Sequence, residues 1–207
     1  MLNVQKKFQR ANGNINVKIN NNEINRFYQS GSAKVFYPKS SQKIKELVLV
    51  NTAGGLTSSD NFIYNIDIIN KSKIFVTTQT AERVYKGINE NAEIKVTLLV
   101  DDTSDLFWIP QELILFNNCN LNRKIEVNLK SNSNFLLAES TIFGRTAMGE
   151  ILEKGFFKDN WKIYLNKKLI HAEALSLTGN IKDKLSSIAC TDNGVAICNI
   201  FISGKNF

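Results

Sequence analysis

The sequence predicts a mainly β chain built of packed, largely antiparallel sheets with few short helices. Three observations predict it. Apolar and polar residues alternate with a period of two in several stretches, turn residues separate those stretches at short intervals, and neither a heptad nor an internal repeat is present. Phe62, Tyr64, Ile66 and Ile68 alternate with Ile63, Asn65 and Asp67. Ile94, Val96 and Leu98 alternate with Glu93, Lys95 and Thr97, and Ile125, Val127 and Leu129 with Lys124, Glu126 and Asn128. Every second side chain of a strand lies on one face, so each pattern describes a strand with one buried side.

Taken in order, residues 1–30 are polar and Asn-rich, with one short strand expected at residues 14–19. Residues 33–37 and 45–50 read as strands joined by the turn that starts at Pro38. Next comes Asn51-Thr-Ala-Gly-Gly-Leu-Thr-Ser-Ser-Asp60. Its adjacent glycines reach positive φ or admit a close neighbour, and its Asn, Thr, Ser and Asp side chains can satisfy freed amides. The stretch therefore reads as a structured loop, and the spacings of a phosphate cradle are absent from it. Asn70 to Ser72 turns the chain into residues 74–78, a hairpin partner for the preceding strand. Residues 77–86 place Glu82 beside Arg83 and fit either a strand with an irregular edge or a single helical turn.

Pro110 interrupts the most apolar segment, residues 106–116, which reads as two short strands or an edge strand with a bend. Residues 134–138 are expected to be buried and lead into Glu139, after which glycines at 144 and 149 bracket Arg145 and Met148 and the strand period is lost. Trp161, Ile163 and Leu165 form a hairpin through Asn166 to Lys168, returning along Leu169, His171, Glu173, Leu175 and Leu177. Residues 185–190 and 194–202 complete the β reading.

The 207 residues suit one domain over residues 1–207. A net charge of +7 is compatible with an anionic partner, but only five of the cations are arginine, and the lysines stand singly along alternating strands. They read as a solvated face and give no expectation of nucleic-acid binding. Three widely spaced cysteines, Cys119, Cys190 and Cys198, argue for a reducing compartment. Lys6, Lys7 and Arg10 are followed by no apolar signal region, and no apolar run approaches the ~18 residues of a membrane span, so a cytoplasmic protein is expected.

Catalytic equipment is sparse. His171 is the only histidine, and neither a GxSxG elbow nor a recognised cysteine-nucleophile motif occurs. Paired carboxylates with Trp108 and Trp161 leave a carbohydrate-binding or carbohydrate-active protein as an alternative. The sharper anomaly is Glu139 and Glu173 on apolar strands, where an unpartnered carboxylate is costly to bury. His171 and Glu173 share a strand face at roughly 7 Å, close enough to meet around one ion. A transient metal contact or a water-filled passage accounts for these residues. So does pairing with Arg145 or a lysine, or exposure to solvent.

Four blocks together resemble the urease accessory protein family UreD, also called UreH: residues 51–60, residues 77–86, Trp108-Ile-Pro-Gln-Glu-Leu-Ile-Leu-Phe116 and Phe143-Gly-Arg-Thr-Ala-Met-Gly-Glu150. The resemblance implies an elongated stack of β-sheets and a non-catalytic chaperone that binds apo-urease and UreF. UreF in turn recruits the GTPase UreG, and no cofactor is tightly bound while Ni²⁺ is in transit through an acidic, water-filled tunnel. Asp60, Glu139 and Glu173 match acidic positions of the family pattern and, with His171, are the expected metal contacts. Arg83 and Arg145 are expected to order walls or meet a partner. The chain departs from the pattern at Ser59, where Gly is common, at Thr80, where Ala is frequent, and at Leu113, where Thr is frequent. Family members usually continue beyond the point where this chain ends, at Phe207, so either a fragment or a shortened member is expected.

Overall fold

A computed structural model describes residues 9–88 and 90–204; Lys6, Lys7 and Phe207 of the sequence reading lie outside the described residues. The chain forms β1 (Asn12–Asn20), β2 (Glu23–Gly31), β3 (Ala33–Phe36), β4 (Lys45–Asn51), β5 (Asn61–Ile69), β6 (Lys73–Thr78), β7 (Glu82–Val84) and β8 (Ala92–Val100). It continues through β9 (Asp105–Trp108), β10 (Leu113–Leu115), β11 (Cys119–Leu129), β12 (Asn134–Phe143), β13 (Lys154–Leu165), β14 (Lys168–Asn180), the helix α1 (Ile181–Ser186) and β15 (Ala196–Ser203). One turn of 3-10 helix occupies Thr146–Met148.

The strands form two facing sheets. Sheet A has the order β14-β13-β11-β8-β5-β1-β2, and sheet B runs β3-β4-β6-β9-β12, with β7 and β10 continuing the lines of β6 and β9 and β15 added beside β12. From β4 to β13 the chain alternates between the sheets, so each strand lies parallel to the strand laid down one turn of the coil earlier. Parallel neighbours need a long return connection, and here the opposite sheet supplies it. The result is the elongated β stack expected from the sequence, with one difference in pairing. Antiparallel pairs occur at the ends of the coil, in β1/β2, β3/β4, β13/β14 and β12/β15, while the pairs between them are parallel.

The hairpin expected between residues 62–68 and 74–78 is absent for this reason. Asn70 and Lys71, both at positive φ, turn the chain from sheet A into sheet B, where β6 pairs with β4 and β9. The hairpin through Asn166 and Lys167 is present, and Pro110 separates β9 from β10 as expected. Residues 185–190, expected to extend the sheet, instead close α1 and enter a turn. Asn180 caps that helix by accepting a hydrogen bond from the Asp183 amide, and Ile181 and Leu185 are its buried side chains.

Alternation builds the core. In β11 and β12 the buried positions recur at every second residue, and the two inward faces meet in one apolar cluster that includes Phe62, Ile66, Leu98, Leu106, Ile125, Phe135 and Phe157. Among the described residues no helix is long and apolar enough to cross a membrane.

Candidate functional site

The glycine loop is held by its neighbours on every side. Leu56 donates its amide to the Arg83 carbonyl at 2.7 Å, Tyr85 donates its amide to the Leu56 carbonyl at 2.8 Å, and the Tyr85 hydroxyl donates to the Gly54 carbonyl at 3.2 Å. Gly55 has φ 141°, and a Cβ there would meet the Tyr85 ring at 2.4 Å and the Arg83 carbonyl at 2.7 Å, so no side chain fits. Ser59 adopts φ 65°, a left-handed conformation that favours glycine. Asp60 closes the loop, its two oxygens accepting the amides of Ala11 and Thr57, each at 2.8 Å.

Asn51 carries the loop's contact with the interior. Its side-chain amide donates to both Glu82 oxygens, at 3.1 and 3.2 Å, and to the Gly55 carbonyl at 3.2 Å. Glu82 starts the short strand β7, and burial lifts its carboxyl to about 7, an effect the Asn51 hydrogen bond only partly offsets. A carboxyl with a folded pKa above its unfolded value binds protons more tightly in the folded chain. Stability from this group is therefore greatest at low pH and falls as pH rises from about 4.5 to about 7. Glu82→Gln, which cannot ionise, is expected to gain about 1–2 kcal/mol over wild type at pH 8, after allowance for partial exposure, and next to nothing at about pH 4, below the unfolded value. Thermal melts at the two pH values read this directly.

Deeper between the sheets lies a buried charge cluster. Arg123 of β11 and Asp159 of β13 are register partners in sheet A, and both point inward. Arg123 donates from Nε to Asp159 Oδ1 at 2.9 Å and from Nη2 to Oδ2 at 2.5 Å, a bidentate pair, while Nη1 meets Glu139 Oε2 of sheet B at 2.5 Å. Two indoles complete it: Trp108 Nε1 donates to Glu139 at 2.6 Å and Trp161 Nε1 to Asp159 at 3.1 Å. Burial pushes the Glu139 carboxyl up, against the opposing pull of Arg123 and the Trp108 hydrogen bond. Burial works against the Arg123 charge, yet Asp159 and Glu139 outweigh it and its pKa rises.

Two small cavities join these features. One of about 40 Å³ lies between the glycine loop and Glu82, and a second of about 60 Å³ reaches from Glu82 to Trp108, Arg123 and Glu139. Their walls share Leu49, Tyr64, Thr78 and Glu82. Each volume exceeds the 10–15 Å³ or so that a buried water needs, and carboxylates and hydroxyls offer partners. The second cavity and a groove of about 360 Å³ bordered by Glu46 and Glu112 share Pro110, Gln111 and Ser140, where Pro110 interrupts sheet B.

Among the sequence-predicted residues, Glu139 lines this interior and Asp60 caps the loop beside it, whereas His171 and Glu173 lie apart. His171 Nε2 is 3.7 Å from Glu173 Oε2, Glu173 also accepts from the Asn199 side chain at 2.9 Å, and the His171 ring packs 5.0 Å from Phe201. Among the described residues no three His, Cys, Asp or Glu side chains converge as a metal cage. The partner of Glu139 is Arg123, neither Arg145 nor a lysine; Arg145 pairs with Glu150 and lies 4.1 Å over the Phe116 ring. Trp108 and Trp161 are 4% and 3% exposed, which removes the open aromatic cleft that the carbohydrate reading requires.

Sequence reasoning missed Glu82 as an interior residue and missed Arg123 and Asp159 entirely. A signal for the latter two was present. Arg123 falls in the buried phase of Leu121, Ile125 and Val127, and Asp159 in that of Phe157, Trp161 and Ile163.

A family model described as UreD urease accessory protein matches residues 10–207. Urease accessory protein UreD of Rhodopseudomonas palustris (strain BisB5) is 38% identical over 178 residues, covering 86% of this chain and 63% of its own length. That of Rhizobium leguminosarum bv. viciae is 37% identical over 181 residues, covering 87% and 66%. Urease accessory protein UreD 1 of Brucella anthropi is 35% identical over 206 residues, covering 95% and 73%. The chain thus spans just under two thirds of the length of the first two relatives.

Proposed function

The chain belongs to the UreD urease accessory protein family, and from that premise we propose that it is a non-catalytic chaperone that helps bring Ni²⁺ to the urease active site. The observation that supports this reading is the pair of carboxylate-bearing cavities between the sheets, with Glu82 in both walls and Glu139 at the inner end. Carboxylates and water hold a divalent cation of this kind loosely, because its preferred imidazole and thiolate ligands are missing. A carrier has to release its cargo, so weak oxygen donors suit transit better than storage. The partially protonated state of Glu82 near neutral pH adds a proton as competitor for the same oxygens.

In this reading Ni²⁺ is cargo, moving past Glu82 and Glu139, while Arg123 and the two indoles fix the inner carboxylates. Asp60 acts by holding the loop that closes the outer cavity, and the pair His171 and Glu173 offers a peripheral contact. The partners are apo-urease and UreF, with the GTPase UreG joining through UreF, in the cytoplasm. Support for a reducing compartment comes from the free thiols of Cys119, Cys190 and Cys198.

The test is co-expression with the cognate urease subunits and UreF, capture through a tag on this chain, and measurement of nickel-dependent urease activity. Recovery of both partners, with activation that requires this chain, is expected. Recovery of neither partner overturns the chaperone reading.

A further inference from the structure

We propose that the outer face of sheet A, centred on Lys95, Lys124 and Lys162, is a docking surface for an acidic, Asp/Glu-rich face of a partner protein. The sequence scatters these lysines over three strands, but parallel pairing gathers them. Lys95 and Lys124 are register partners across β8 and β11, Lys124 pairs with Asn160 of β13, and Lys162 stands two residues further along the same outward row. A groove of about 450 Å³ runs over them, with Glu126 as its one carboxylate.

Like charges placed directly opposite on neighbouring strands repel, as Lys95 and Lys124 do here, and the one carboxylate of the row, Glu126, stands opposite Lys162. Here Lys95, Lys124, Lys158 and Lys162 are all exposed, and none takes part in an ion pair among the described residues. The nearby carboxylates are engaged by amides instead: Glu93 accepts from the Asn122 side chain at 2.8 Å and Glu126 from Asn128 at 3.2 Å. Three lysines to one carboxylate leave a net positive charge on the outward face of β8, β11 and β13, which steers and holds a surface of opposite sign.

The chemistry favours a carboxylate surface over a nucleic acid. Arginine, which binds phosphate in bidentate fashion, is absent from the groove, and Glu126 and Glu93 within the field would repel a continuous phosphate backbone. A protein face can place its own basic or amide groups opposite those two residues. This inference does not depend on the nickel reading.

The test uses the full chain and two fluorescein-labelled probes, poly-L-glutamate and oligo-uridylate, followed by anisotropy at low and physiological salt. Wild type is expected to bind poly-L-glutamate in a salt-sensitive way. The variant K95E/K124E/K162E is expected to lose at least tenfold in affinity, and K34E/K39E/K43E, with the same change in net charge elsewhere, less than threefold. Equal losses in the two variants overturn the proposal, since net charge alone would then explain binding. Absence of salt-sensitive binding overturns it too, as does tighter binding of oligo-uridylate that the first variant abolishes. If the charge reversals impair folding, K95Q/K124Q/K162Q carries the same comparison with neutral side chains.

Discussion

Replacing Arg123 by methionine is expected to cost the fold about 3–5 kcal/mol, enough to leave much of the chain unfolded or insoluble. Methionine approximates the volume of the lost side chain, so the expected damage is electrostatic. Glu139 and Asp159 would remain, 4% and 5% exposed, in an interior with no cation to face. Each would keep one indole N–H, which is far short of what an ionised carboxylate loses on leaving water. The companion variant Arg123→Met/Glu139→Gln/Asp159→Asn removes the charges together and is expected to recover most of the loss in urea titrations. A triple variant no more stable than the single one would show that packing, and not charge, sets the cost.

The second large effect concerns function. Glu139→Gln is nearly isosteric; its amide oxygen can still accept from Trp108, and although the contact with Arg123 Nη1 is lost, Arg123 keeps its bidentate pair with Asp159, so the fold is expected to persist. Urease activation in cells carrying the cognate subunits and accessory partners is expected to fall tenfold or more, with capture of partners unchanged. The reason is that the amide removes the charged oxygen at the inner end of the second cavity. Glu173→Ala, on a residue outside both cavity walls, is expected to change activation less than twofold. Full activation by Glu139→Gln would remove that carboxylate from any route for the metal.

Much of this architecture is legible in the sequence because alternation is a local property. The strands around Ile94, Ile125 and Trp161, the break at Pro110 and the turn at Asn166 are all written in neighbouring residues. Partner choice is not. Asn70 and Lys71 have the left-handed conformations of a tight hairpin, yet they pass the chain between sheets, and β5 pairs instead with β1, laid down earlier, and with β8, laid down later. The site divides along the same line. The glycine loop and the oddly placed Glu139 stand out in the sequence, whereas Arg123 is visible only when a charge is noticed on the apolar phase. Its pairing with Asp159 emerges from a parallel register that no short segment encodes.

That register also governs how the molecule comes into being. The parallel neighbours β1 and β5, β5 and β8, β8 and β11, and β11 and β13 are separated by an intervening excursion through the other sheet, so none can meet by a local hairpin. Closing such long loops precedes any gain from the contacts they bring, which makes assembly slow compared with a helical domain of equal size. If each new strand is added to the last one placed, that strand presents a row of open amides and carbonyls until the next arrives. A second unfinished chain fits the same row. Refolding yield is therefore expected to fall as chain concentration rises, and synthesis one strand at a time on the ribosome is the setting in which such growth would meet the fewest competitors.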